Sequence, residues 1–295
     1  MLNLTQDPKI CIKNNKDFSL KTLDTNYKAG FYSEDELKDF LNSYSEKIAG
    51  LQEKLYAQNQ FSVLLVLQAI DAAGKDSCIK HVFTGVNPQG VHVINFKQPS
   101  KEELDHDFMW RIYKNLPERG LIGVFNRSHY EEVIVTKVHP EYLLNQNIPN
   151  VNSIEDVNDE FWQNRYNIIN QFEKHLNDNG TIIIKVFLNL SKEEQKQRFL
   201  DRIETPKKNW KFSYADLKER KRWDDYQVAF EEMIKNTSTD YAPWHVVPSD
   251  NQWISRAIVS EILLEKLEDL NLKYPKLSKQ EQELLNQGLM ELNAE

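Results

Sequence analysis

The sequence predicts an α/β protein, a three-layer α/β/α sandwich around a central parallel sheet, with a helical lid. Three observations carry this. Short apolar runs without polar alternation recur along the 295 residues, as in strands buried on both faces of a parallel sheet. Segments of helical periodicity lie between them. A strongly basic stretch interrupts the alternation near residue 200. The chain reads as one domain over 1–295. It has an N-terminal extension and helix to about residue 58, a core at 59–270, a lid inserted at about 192–236 and a tail at 271–295.

The elements follow in order. Residues 1–30 show no strong periodicity. Ser33 and Glu36 have capping-box spacing, and Leu37, Phe40, Leu41, Tyr44, Ile48, Leu51 and Leu55 continue a helix to about Gln58. FSVLLVL (61–67) is the first buried strand. VHVINF (91–96), LIGVF (121–125), TIIIKVFL (181–188) and WHVVP (244–248) are four more segments that fit the same sheet. Ser100 and Glu103 form a second capping box, with Leu104, Phe108, Ile112 and Leu116 behind it. Phe161, Ile168, Phe172 and Leu176 make a further stripe, stopped by Asn179-Gly180. Ser191 and Glu194 repeat the capping signature, and Asp250 opens a last core helix through Ile254, Ile258 and Ile262. The tail from Pro275 reads as a polar helix.

Bulk numbers exclude some functions. A net charge of -8 argues against nucleic acid as a partner. The two cysteines, Cys11 and Cys78, have no metal-ligand spacing, so a reducing cytoplasm is expected. The stretch MLNLTQDPKICIKNNKDF lacks the apolar core of a signal peptide, and no apolar run reaches membrane-span length.

Chemistry concentrates in QAIDAAGKDS (68–77). A strand, a tight turn and a helix gather backbone N–H groups and a helix N-terminus at one point, which suits phosphate. Gly74 permits close approach and Lys75 supplies a cation. Yet the pattern G-x-x-x-x-G-K-[ST] is broken: Ala69 stands at the first glycine and Asp76 follows Lys75. The usual hydroxyl ligand of Mg²⁺ is lost, and Ser77 comes one step late. Asp71, an anion in an anion site, makes sense beside a cation, and is read as a Mg²⁺-associated carboxylate. A solvated strand–turn–helix is the plain alternative.

After LIGVF comes Asn126-Arg127-Ser128-His129-Tyr130-Glu131-Glu132. Functional groups in open α/β sheets collect at strand C-termini. Asn126 stands where an Asp often supports Mg²⁺, and Arg127 offers a planar fork for phosphate. A surface turn is the alternative, and His129 has no evident partner. From Arg198 to Arg222 nine basic residues face four acidic ones, a local charge of +5 that leaves -13 elsewhere. Such a patch focuses a polyanion's approach, and two helices about Pro206 would form a lid. A solvated helical hairpin is the alternative.

These residues resemble the second family of polyphosphate kinases, polyphosphate:nucleotide phosphotransferases with a P-loop kinase-like fold. The likeness runs through DTNY (24–27), LVLQAIDAAGKDS (65–77), IKHVFTGVNPQG (79–90), LDHDFMWR (104–111), VFNRSHYEEV (124–133), KRWDDYQ (221–227), NTSTDYAPW (236–244) and VVPSDNQW (246–253). In that family the altered loop is the normal one.

The resemblance implies reversible transfer from inorganic polyphosphate to nucleotides. It implies Mg²⁺, with Mn²⁺ as a substitute, and a homo-oligomer, dimer or tetramer. It makes Asp71, Lys75 and Arg127 catalytic, with Asp71 the metal ligand, and Asn126, Arg127 and Glu131 nucleotide-binding. Phosphate or polyphosphate contacts are expected from Ala72, Ala73, Gly74, Lys75, Asp76, Ser77, Lys80 and Arg127. Arg198, Arg202, Lys208 and Arg222 are expected to join them from the lid. Glu131 resembles the subgroup that takes AMP as well as ADP, which implies AMP to ADP to ATP. Two rivals stand beside this: an ATP-dependent nucleotide kinase, and a non-catalytic polyphosphate- or nucleotide-binding regulator.

Overall fold

The computed structural model describes residues 6–13, 17–27 and 32–295. Parts of the N-terminal stretch read for a signal peptide, 1–5 and 14–16, therefore lie outside the described residues. Six strands form one sheet in the order β1-β6-β5-β2-β4-β3: β1 Cys11–Ile12, β2 Ser62–Gln68, β3 Val91–Asn95, β4 Ile122–Asn126, β5 Thr181–Asn189 and β6 Trp244–Pro248. All neighbours are parallel except β1, which runs antiparallel to β6.

The five parallel strands are the five apolar runs, shifted by a residue or so. Every residue of β2 is buried, which explains its lack of alternation. Its one buried hydroxyl, Ser62 Oγ, shares a hydrogen bond of 3.0 Å with Thr181 Oγ1. β1 was not legible, because a two-residue strand has no periodicity to read. Residues Ile10, Phe18 and Leu20 nevertheless join the core.

Two helix groups flank the sheet. The first comprises α1 (Glu34–Gln58), α2 (Lys75–Val82) and α10 (Gln252–Asp269), which pack together. Two short helices follow β3, α3 (Lys101–Leu104) and α4 (Trp110–Tyr113). The second group is α5 (Glu131–Val138), α6 (Asp159–Asp178) and α9 (Trp223–Thr237). Between β5 and α9 lie α7 (Lys192–Glu204), a 3-10 turn opened by Pro206, and α8 (Tyr214–Arg220).

The Ser33 and Ser100 capping boxes both form. The helix expected behind Ser100 is broken, however: α3 stops at Leu104, and Asp107 Oδ1 accepts from Met109 N at 2.9 Å to open a new turn before α4. At Ser191 only half the box forms, because Glu194 Oε1 is taken by Arg198 Nε. Asn251, not Asp250, caps α10; Asp250 accepts from Ser191 N and Thr25 Oγ1 instead. The tail forms α11 (Lys279–Leu292) under a Ser278 capping box, with Leu284, Leu285 and Leu289 exposed.

Candidate active site

The register sets the site. Leu67 pairs with Asn126, and Asn126 pairs with Asn95, so the tips of β2, β4 and β3 lie level. The loop from Ala69 to Gly74 leaves β2 at this level and enters α2 at Lys75. Gly74 has φ 102°. A Cβ there would meet only Arg198 Nη1, at 3.6 Å, so the backbone conformation rather than space calls for glycine.

Distant side chains hold this loop from behind. Arg198 is buried, and its Nη1 donates to Ala73 O at 2.8 Å and Ala72 O at 3.1 Å. Its Nη2 donates to Ser249 O and Asp250 O at 2.5 and 3.2 Å. Ser249 Oγ donates to Ala73 O, and Gln195 Nε2 to Asp71 O, each at 2.9 Å. Lys75 is also buried, its Nζ donating to Ala69 O at 2.8 Å and Ile70 O at 3.3 Å. Burial, then the charge of Arg127, lowers its pKa to about 8, against the pull of Asp71, Glu131 and Asp76.

The β4 tip supplies the opposite wall. Buried Asn126 donates from Nδ2 to Asp76 Oδ1 at 2.6 Å and to Asn95 Oδ1 at 2.7 Å. Arg127 sits at φ 62°, uncommon for a side-chain-bearing residue. Its Nη2 donates to Asp71 Oδ1 at 2.7 Å, and its Nη1 lies 3.8 Å from Glu131 Oε2. Beneath it, Gln68 Nε2 donates to Ser128 Oγ, and Tyr130 OH donates to the buried Glu173, which also binds Lys185 Nζ. Burial raises the pKa of the Glu131 carboxyl, opposed by Arg127 and Lys75.

A cavity of about 600 Å³ opens over these groups, within the range of ligand pockets. Its floor is the loop from Asp71 to Ser77. Its walls are Asn95 to Gln98, Asn126 and Arg127 on one side and Arg198, Asp201, Arg202, Lys208, Lys211 and Asp216 on the other. Arg202 pairs with Asp216 at 3.3 Å and Lys208 with Asp201 at 2.6 Å.

Most expected residues are therefore brought together. Lys80 and Arg222 are not among those lining the cavity. Lys80 is exposed in the last turn of α2, and Arg222 binds Asp225 Oδ2 and Val138 O at the start of α9. Glu131 lines a small adjoining cavity with Asp71, Arg127 and Tyr226.

The model of the family described as polyphosphate kinase 2 matches residues 32–275. The chain belongs to the polyphosphate kinase 2 family. It is 50% identical over 246 residues to an ADP-polyphosphate phosphotransferase of Rhodopseudomonas palustris, covering 83% of this chain and 84% of that protein. It is 44% identical over 262 residues to an AMP/ADP-polyphosphate phosphotransferase of Meiothermus ruber, covering 88% and 91%. The crystal structure of polyphosphate kinase 2 from Arthrobacter aurescens TC1 superposes with a TM-score of 0.84 at 38% identity, covering 94% of this chain and 95% of that one.

Within this polyphosphate kinase 2 chain, sequence reasoning missed several residues. Asn95, Lys97 and Gln98 end the β3 run, so the strand-end rule could have found them. Lys211 lay in the basic segment without being singled out. Asp216, Gln195 and Arg256, whose Nη2 donates to Ser77 Oγ at 2.7 Å, carry no local signal.

Among the described residues, no three His, Cys, Asp or Glu side chains cluster as a metal cage. Asp71 and Asp76 line the cavity and could offer carboxylate oxygens to a divalent ion that keeps most of its waters. No helix of the described residues is long and apolar enough to cross a membrane.

Proposed function

We propose that this chain transfers phosphoryl groups reversibly from inorganic polyphosphate to AMP and ADP, with Mg²⁺ or Mn²⁺ held at Asp71. The observation that carries it is the convergence of Lys75, Arg127 and Asp71 on one cavity whose other wall is the basic segment. Polyphosphate lies along Arg202, Lys208 and Lys211, and its terminal phosphoryl reaches Lys75. The nucleotide sits by Asn126, Arg127 and Glu131. Its attacking phosphate oxygen is already anionic, so no strong base is needed. Lys75 and Arg127 orient the two phosphates and stabilise the charge of the transferring group. A divalent ion, when bound, neutralises the remaining phosphate charge. Arg198 acts on the loop's shape, holding the Ala72 and Ala73 carbonyls.

Acceptance of AMP rests on Glu131 and on the likeness to the Meiothermus ruber protein, whose name includes AMP. The same reading takes residues 1–295 as one domain with a lid at about 192–236, places the protein in the cytoplasm and makes it a dimer or tetramer.

The test is product formation from AMP, Mg²⁺ and long-chain polyphosphate without ATP, in wild type and Lys75→Ala. ADP and then ATP from the wild type alone is the expected result. Activity with ADP only discards AMP acceptance. Transfer from ATP to AMP, with polyphosphate inert, makes the protein a conventional nucleotide kinase. Ligand binding without turnover makes it a regulator.

A further inference from the structure

The basic side chains around the cavity are not equivalent. Lys75 is bound by the Ala69 and Ile70 carbonyls, Arg127 by Asp71, and Arg198 by Glu194 and four carbonyls. Arg202 and Lys208 are paired with Asp216 and Asp201, and Lys211 lies over the Trp210 ring. Lys97 differs. Among the described residues its ammonium has no carboxylate, carbonyl or ring partner, although it lines the same cavity. An arriving phosphate must compete with a resident partner at the other cations, whereas at Lys97, among the described residues, it meets none.

The backbone carrying Lys97 is fixed on both sides. On one side Phe96 is buried, edge-on to Phe125 at 4.8 Å between centroids, and its N–H donates to Asn126 O. On the other, the Lys97 carbonyl accepts from Arg111 Nη2 at 2.9 Å. Buried Arg111 in turn pairs with Glu103 at 3.2 Å and stacks on Phe96. Glu103 is also the acid of the Ser100 capping box. This framework holds the root of one flexible side chain at the cavity rim, which lowers the ordering cost of using it.

We propose that Lys97 is a further substrate-binding residue, one that contacts the phosphates of the acceptor nucleotide. The choice of acceptor over polyphosphate follows from the sheet order. Lys97 leaves β3 beside β4, and the Asn95–Asn126 bond ties their tips, so it shares a side of the loop with Arg127. The lid cations leave β5, on the other side of β2. The inference rests on the nucleotide site proposed above.

The experiment measures ADP binding by calorimetry without polyphosphate, then KM for ADP and for polyphosphate, in wild type, Lys97→Ala and Lys97→Arg. Lys97→Ala is expected to weaken ADP binding and raise its KM about tenfold, as for a lost charge-assisted contact. The KM for polyphosphate stays within about twofold, Lys97→Arg restores most of the loss, and thermal stability is unchanged because the side chain packs on nothing. A change in the polyphosphate KM alone, no change in either, or no ADP binding by wild type overturns the proposal. Wild type that binds ADP through Lys97 yet shows no polyphosphate-dependent turnover would fault the functional reading and leave Lys97 standing.

Discussion

The Arg127 guanidinium donates to the Asp71 carboxylate at 2.7 Å, joining the tip of β4 to the loop that follows β2. Each is proposed for a different ligand, Arg127 for phosphate and Asp71 for a cation. Without substrate they neutralise one another, so ligands must share or divide the pair. Asp71→Asn should keep the fold and lose turnover by about 10²-fold or more, since charge stabilisation carries phosphoryl transfer. Activity assayed against Mg²⁺ concentration checks it. An unchanged rate with unchanged metal dependence would remove Asp71 from the mechanism.

Lys75 sets a pH dependence. In the free protein its ammonium is half populated at about pH 8. A phosphate anion beside it favours the charged form and raises that value. Below about pH 7 the lysine is charged before and after binding, so it adds no pH dependence there. Above pH 8 binding must take up a proton, so affinity falls as pH rises. Calorimetry of ligand binding at pH 8.5 in buffers of different ionisation enthalpy should report this uptake, because the phosphates themselves are fully ionised at that pH.

Arg198 is expected to matter for stability as well as for rate. Arg198→Ala would strand the Ala73, Ser249 and neighbouring carbonyls in a buried site, at a cost of about 2–4 kcal/mol. Arg198→Lys should rescue little, because one ammonium cannot serve the carbonyls of the loop and of residues 249 and 250 together. Denaturant unfolding measures both.

The ion pair of Lys185 with Glu173 lies deep in the core, at 2.6 Å. Lys185→Met leaves Glu173 buried without its counter-ion and should cost about 3–5 kcal/mol. Burial pushes the Glu173 carboxyl up, but Lys185 and His129 pull it down and prevail, leaving it below the ordinary 4.5. Its stabilising contribution is therefore complete above pH 4.5 and is lost as pH falls through the lowered value. Acid unfolding of wild type, set against Lys185→Met, should show this steeper fall below pH 4.5.

What could be read from residues alone followed the range of the interaction. β2, β4, β5 and β6 were legible because burial on both faces writes itself as unbroken apolar runs, whereas β3, at the sheet edge and partly exposed, was read from its β-branched residues after Gly90. Ser33 and Ser100 were legible because a capping box closes within four residues. The loop and Arg127 were found because strand ends collect function. Long-range partners were not: Arg198 was expected in the lid as a phosphate contact, whereas its guanidinium is engaged by carbonyls more than a hundred residues earlier and about fifty later. The break between α3 and α4 was missed because Leu104, Phe108 and Ile112 keep helical spacing while Asp107 bonds locally to Met109.

The clamp behind the phosphate loop has a consequence for the order in which the protein matures. Ala73 takes its hydrogen bonds from Arg198 and Ser249, which lie 125 and 176 positions downstream. During synthesis the whole QAIDAAGKDS segment emerges early, and Lys75 can hold the Ala69 and Ile70 carbonyls from within it, yet the Ala73 carbonyl has its full set of donors only once the chain has been made past Ser249. A truncated chain ending before β5 would contain every residue of the motif and lack the Gln195, Arg198 and Ser249 side chains that clamp the loop from behind. Competence to hold a phosphate thus arrives late in translation.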